Sequence, residues 1–258
     1  MLVATFNANS VRARLETIVA WLDTRQPDIL CIQETKVTDA EFPVEAFTGA
    51  GYTVIYRGEK SYNGVAIASR VPPEAHQFGF DDGGPADETR LVCARFGPLT
   101  VVNTYVPQGR DIDHPMYRYK LDWLQRLRGW FDRHFTPADR LLWTGDMNVA
   151  VEAIDIHNAE RQTQHVCYHE DVRRVFAETI AWGFEDVFRR HHPDEPGHFT
   201  FFDYRTPNAA KRGMGWRIDH MLATPPLAQS STGSAIDLEP RFGTRPSDHT
   251  FLTAEFEL

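Results

Sequence analysis

Acids and amides gather at the ends of apolar runs along this chain. Asn7 and Asn9 follow "LVATF", Glu34 follows "DILCIQ", and Tyr105 closes "LTVVNTY". Asp146 and Asn148 follow "RLLWTG", Asp219 follows "GWRI", and Asp248 with His249 stands just before "TFLTAEFEL". Asp and Asn are good turn and helix-capping residues, which accounts for any one of these positions taken singly. Turn preference does not explain why so many runs end in acids or amides and none in Lys. Carboxylate and amide oxygens are hard ligands that suit Mg²⁺, with Mn²⁺ as a substitute, better than zinc. A divalent ion held there would polarise a phosphoryl oxygen and stabilise charge on a leaving oxygen. An Asp beside a neutral amide could accept a proton from water. A histidine oriented by a second carboxylate could hold a phosphate oxygen. These parts suffice to hydrolyse a phosphate ester.

Such residues converge only if the strands that carry them end on one side of a sheet. "LVATF", the helical period of "LETIVAWL" and "DILCIQ" read as a β-α-β opening. "YTVIY" and "GVAIAS" flank the polar "RGEKSYN" as a hairpin, and "RLVCARF" with "LTVVNTYV" makes another, turning at Gly97-Pro98. A helix is predicted from about Met116 to His134, with Leu121, Leu124, Leu127 and Phe131 near one face, followed by the strand "RLLWTG". "HEDVRRVFAETIAWG" reads as a helix stopped at Gly183, and "GWRIDHMLA" and "TFLTAEFEL" read as closing strands. Hairpins and helices in both halves predict an α/β fold of two packed sheets with helices outside.

Composition bounds the alternatives. A chain of 258 residues, 42% apolar, suits one large domain over 1–258. The net charge of -9 argues against indiscriminate nucleic-acid binding by the whole surface. Cys31, Cys93 and Cys167 form no CxxC pair, so a disulfide framework is not expected. With no signal-like start and no run of membrane-spanning length, the expectation is a soluble cytoplasmic monomer, acting at the nucleoid and making no membrane contact. "HVCYH" places His165, Cys167 and His169 on one face if it is a strand, yet no further zinc ligand is nearby. The pair His191-His192 falls in a Pro-rich stretch and reads as solvated.

Seven blocks, "FNANS", "PDILCIQETK", "YNGVAI", "NTYVPQG", "GDMNVA", "GWRIDH" and "PSDH", occur in order across the chain. Together they resemble the exonuclease III / apurinic-apyrimidinic endonuclease family of the endonuclease–exonuclease–phosphatase superfamily. That resemblance implies a four-layered α/β sandwich, two mixed sheets face to face and flanked by helices. It implies Glu34 as principal metal ligand with Asn7 beside it, and Asp248, Asp146, Asn148 and His249 close to the metal. Asp146 would activate or orient water with Asn148 in support, and Tyr105 would contact the scissile phosphate or that water. His249 would bind phosphate with Asp219 fixing its ring. Asn9 and Gln108 fall with the substrate-facing positions, and Phe201, Trp216 and Ile218 match a pocket for a base-free sugar. "VPQG" followed by Asp113-His114-Pro115 resembles the exonuclease III branch, whereas "GWRID" resembles the other.

Arg110, Arg118, Lys120, Arg205, Lys211, Arg212 and Arg217 cluster in two aromatic-rich segments and could line a phosphate groove on an otherwise acidic protein. The expected activity is Mg²⁺-dependent hydrolysis of duplex DNA at abasic sites and 3′ ends. Two alternatives stand beside it: a related phosphatase or phosphodiesterase acting on a non-DNA ester, and a catalytically silent DNA-binding scaffold.

Overall fold

The structure, a computed structural model, describes residues 1–258. Twelve strands form two six-stranded sheets. The first sheet contains β1 (Leu2–Asn7), β2 (Ile29–Gln33), β3 (Thr53–Glu59), β4 (Tyr62–Ser69), β11 (Ser231–Asp237) and β12 (Phe251–Phe256), in the order β11-β12-β1-β2-β4-β3. The second contains β5 (Ala75–Phe78), β6 (Leu91–Phe96), β7 (Leu99–Tyr105), β8 (Leu141–Asp146), β9 (Glu185–Asp186) and β10 (Asp219–Ala223), in the order β5-β6-β7-β8-β10-β9. Each sheet is built around one parallel pair, β1 with β2 and β7 with β8, and every other pairing is antiparallel. The first sheet draws strands from both chain ends, so the termini lock together there.

Alternation along the strands makes the layers. In β2, Ile29 and Cys31 join the core between the sheets, while Leu30 and Ile32 face α1 (Leu15–Arg25) and α2 (Val44–Gly49). In β8, Leu142 joins the inter-sheet core, while Leu141 and Trp143 pack toward α3 (Pro115–His134) and α4 (Glu170–Ile180). Short helices α5 (Val187–His191) and α6 (Pro225–Ala228) complete the set. The result is helix, sheet, sheet, helix, as expected. No helix is long and apolar enough to cross a membrane.

The predicted hairpins form, the second turning at Gly97, whose φ of 58° suits glycine. Two expectations fail locally. "GWRI" is not a strand: Trp216 makes isolated bridges to Ile156 and Phe201, and the sheet takes the chain up only at Asp219. "HVCYH" is a series of turns in which the rings of His165 and His169 accept from the backbone N–H groups of Cys167 and Asp171. Those rings serve as caps, which removes the strand-based zinc reading. Strand β11 escaped prediction because "STGSAID" is small and polar, with no apolar period.

Candidate active site

The two parallel pairs end at one place. Strand β1 ends at Asn7, β2 passes into Glu34, β7 ends at Tyr105 and β8 ends at Asp146. Antiparallel neighbours enter where these strands leave: Asp219 opens β10 directly opposite Asp146, and His249 precedes β12, the partner of β1. The approach to Asp146 requires glycine before it. Gly145 has φ 131°, and a Cβ there would lie 2.0 Å from the Thr104 carbonyl oxygen. Glu34 and Asn148 themselves adopt left-handed backbone, at φ 52° and 50°, a conformation that costs non-glycine residues roughly 1–2 kcal/mol.

Asn7 is the hub. Its amide nitrogen stands 2.8 Å from Glu34 Oε1 and 2.8 Å from Asp146 Oδ2, while its oxygen accepts from the Asn9 backbone at 2.9 Å. Asn148 donates to Asp146 from its backbone, at 2.9 Å, and its side chain donates to Asp146 and to the Val106 carbonyl. Opposite, His249 Nδ1 lies 2.8 Å from Asp219 Oδ2, and its Nε2 is 3.8 Å from Asp146 Oδ2. Asn9 Nδ2 reaches Asp248 at 3.0 Å.

Burial and neighbours separate the protonation of these groups. Burial alone would lower the His249 imidazolium, but Asp219 and Asp146 outweigh it and push the pKa up to about 10. Asp146 is pushed up to about 7 by burial, against the pull of His249 and with Asp219 and Glu34 adding repulsion. Burial also raises the Glu34 carboxyl, yet the Lys36 ammonium and bonds from Asn7 and Lys36 hold it below the usual range. Tyr105 is raised well above an ordinary phenol by burial, then by Glu34 and Asp146, so it remains a proton donor. A protonated His249 has no lone pair on either ring nitrogen. In that state Nε2 can donate to a phosphate oxygen; in the neutral ring, the ligand atoms of His249, Asp146 and Asp219, all within 4.8 Å of one another, could also hold a metal ion, the role the resemblance implied.

The oxygen donors fit a hard cation. Lys36 Nζ sits 2.6 Å from Glu34 Oε2 and 2.5 Å from Asn9 Oδ1, so this corner already gathers positive charge on carboxylate and amide oxygens.

A cavity of about 610 Å³ opens on Glu34, Tyr105, Gln108, Asp146, Asn148, Asp248 and His249. Phe201, Trp216 and Ile218 also line it, with the Phe201 ring 5.0 Å from that of His249. Asn7, Asn9 and Asp219 stand behind these groups and hold them. Arg110 and Arg212 do not line the cavity. Among the expected phosphate-groove cations, Lys120 and Arg217 are corrections, because both are wholly buried. Lys120 Nζ donates to the carbonyls of Gln108, Asn148 and Val166, and Arg217 is paired with Asp155 and Asp186. The helical spacing of Tyr117, Lys120, Trp123, Leu124 and Leu127 was a sufficient signal that Lys120 faces inward. The sequence reading missed Lys36 and Arg161, and weighed His165 only as a zinc ligand. His165 packs on Trp216 at 4.5 Å within the cavity wall, a pairing between distant loops that no local pattern announces.

Two layered sheets with a metal-ready carboxylate corner facing a charged histidine define a phosphoesterase-type α/β sandwich. The Endonuclease/Exonuclease/phosphatase family profile matches residues 4–249. Exodeoxyribonuclease III of Haemophilus influenzae is 32% identical, with 98% of each chain covered. An AP endonuclease from Archaeoglobus fulgidus superposes with a TM-score of 0.97 at 47% identity, and a 3′ phosphatase, NExo, from Neisseria bound to product DNA hairpin does so with 0.94 at 33%, each over 100% of both chains. This chain therefore belongs to the endonuclease/exonuclease/phosphatase family, in its exonuclease III / AP endonuclease branch.

Proposed function

We propose that this protein is a metal-dependent DNA repair nuclease. It cuts the phosphodiester 5′ to abasic sites, leaving a 3′-hydroxyl, and removes nucleotides or blocked groups from 3′ ends of duplex DNA. The observation that carries this reading is the opposition, across one cavity, of the Asp219-held His249 and the Asp146 carboxylate held by Asn7 and Asn148.

In this mechanism His249 donates from Nε2 to a non-bridging phosphate oxygen, and Asp219 keeps the ring charged and oriented. Asp146, with a pKa near neutrality, accepts a proton from the attacking water, while Asn148 fixes its carboxylate. The Tyr105 hydroxyl donates to the phosphate or to that water. Glu34 would hold Mg²⁺ with help from Asn7, Asn9 and Asp248, and Mn²⁺ suits the same oxygens; when bound, the ion would stabilise the negative charge developing on the leaving oxygen. Trp216, Phe201 and Ile218 form an apolar wall that accepts a base-free sugar, whose extrusion forfeits no stacking of its own base. Arg161 and Arg205 at the cavity, with Arg110 and Arg212 outside it, supply the few phosphate contacts of a monomeric enzyme.

A labelled duplex with a single abasic analogue, incubated with Mg²⁺ or with chelator beside an undamaged blunt duplex, tests the proposal. Incision 5′ to the analogue and 3′ shortening, both abolished by chelator, are expected. Cleavage of a lipid or inositol phosphate ester with neither DNA reaction would overturn it.

A further inference from the structure

Outside the active site, one cluster has the donors and the arrangement of a second metal site. His192 Nδ1 and His198 Nε2 each stand 3.0 Å from the same atom, Glu195 Oε2, and the three ligand atoms lie within 4.8 Å of one another. None of these residues lines the cavity described above.

Proton accounting makes the cluster informative. His192 Nε2 is 2.9 Å from the Ser234 carbonyl oxygen, which only accepts, so that nitrogen carries the hydrogen. In the neutral ring Nδ1 then bears a lone pair, and it faces a carboxylate oxygen, which also only accepts. Either an added proton or a cation must sit between them. Ligating histidines commonly give their other N–H to a backbone carbonyl in this manner, which fixes both tautomer and ring direction.

The frame is already built. The His192 ring stacks on Phe188 at 4.6 Å, and the His198 ring meets the same Phe188 edgewise at 5.4 Å. Arg189 Nη1 donates to the carbonyls of His192 and Glu195, at 3.1 and 2.9 Å, which pins the backbone between the ligands. The Arg189 charge does not oppose a cation outright, since its Nη2 is paired with Asp155 at 2.5 Å. Metal–ligand bonds of about 2.0–2.2 Å place donors roughly 3.0–3.5 Å apart, so little movement is needed. Glu195 is 55% and His198 36% exposed, leaving a path for an ion.

We propose that His192, Glu195 and His198 bind one imidazole-favouring divalent transition metal, Zn²⁺ or Ni²⁺. Two nitrogens and one carboxylate disfavour Mg²⁺, and three protein ligands leave a position for water. Bound there, the ion ties the 192–198 segment to itself and, through Ser234, to β11, just ahead of Phe201 in the cavity wall.

The test is titration of the full-length protein with Zn²⁺ under saturating Mg²⁺, by calorimetry, with Co²⁺ visible absorption as the coordination readout. Wild type and Glu34→Gln are compared with His198→Gln and the double variant His192→Gln/His198→Gln. One equivalent retained in Glu34→Gln but weakened at least about tenfold in His198→Gln, with loss of the Co²⁺ band, is expected. Because His198 makes a single hydrogen bond, to Glu195, its variant is expected to keep the wild-type circular dichroism and melting curve, which controls for folding. Equal Zn²⁺ affinity in wild type and His198→Gln, or no binding tighter than about 1 mM, overturns the proposal and leaves the added proton as the link between the rings and Glu195. Nuclease assays on the same variants keep this outcome distinct from that of the active-site reading.

Discussion

Nδ1 of His249 stands 2.8 Å from a carboxylate oxygen of Asp219, 30 positions earlier in the chain, and both groups are buried. The pair explains how a buried imidazole stays charged: burial depresses the His249 pKa, and the two facing carboxylates raise it to about 10. Asp219→Asn removes the larger of those attractions, so the pKa falls back toward its ordinary value. Activity that requires the imidazolium then disappears as the pH rises past about 7 rather than near 10. Turnover at neutral pH is expected to drop about 10²–10⁴-fold. Single-turnover cleavage of an abasic duplex as a function of pH checks this, and an unmoved alkaline limb would remove the imidazolium from the mechanism.

Asp146→Asn keeps the shape and the bond to Asn7 but cannot accept a proton. Turnover should fall by about 10²–10⁴ while the melting temperature holds or rises, because a carboxylate strained by burial has been replaced. Chelation of the wild type should abolish cleavage while leaving its circular dichroism unchanged. Near-normal cutting by this variant would sink the role assigned to Asp146.

Lys120→Met tests a structural lysine. The ammonium satisfies three carbonyls, those of Gln108, Asn148 and Val166, and each left bare costs ~1–3 kcal/mol. Urea unfolding should show a loss of about 3 kcal/mol or more. Since two of those carbonyls belong to cavity residues, kcat should fall more than KM rises. Full stability would mean that water replaces the ammonium.

Arg217 is wholly buried between Asp155 and Asp186, so Arg217→Met leaves the buried Asp155 and the partly buried Asp186 carboxylates short of their partner and should cost ~3–5 kcal/mol. For both acids burial raises the pKa, but the Arg217 charge outweighs it and holds them below the usual range. The stabilisation they give is therefore complete above about pH 4 and is lost as pH falls through their lower folded values. Unfolding free energy measured from neutral to acid pH should decline less steeply in the variant. The salt dependence of DNA affinity should stay unchanged, as Arg217 reaches no phosphate. A reduced salt slope would contradict its placement.

Local pattern carried the sequence reading far. The short apolar runs "DILCIQ" and "RLLWTG" mark strands buried along their length, and acids or amides where such runs end mark a site, because these relations involve neighbours in the chain. The same logic, applied to the helical face of Tyr117, Lys120 and Trp123, would have taken Lys120 out of the DNA groove in which the sequence reading placed it.

What the sequence alone determined was the set of chemical groups and the strands that deliver them. Tertiary structure decided their partners. That Asn7 bridges Glu34 and Asp146, that Lys120 is held by three carbonyls, and that Arg217 is sealed between acids all depend on contacts between distant segments. Side-chain type specifies what a group can donate or accept, but charge state follows from burial and from the charges packed around it. Those exist only once the two sheets have closed on each other.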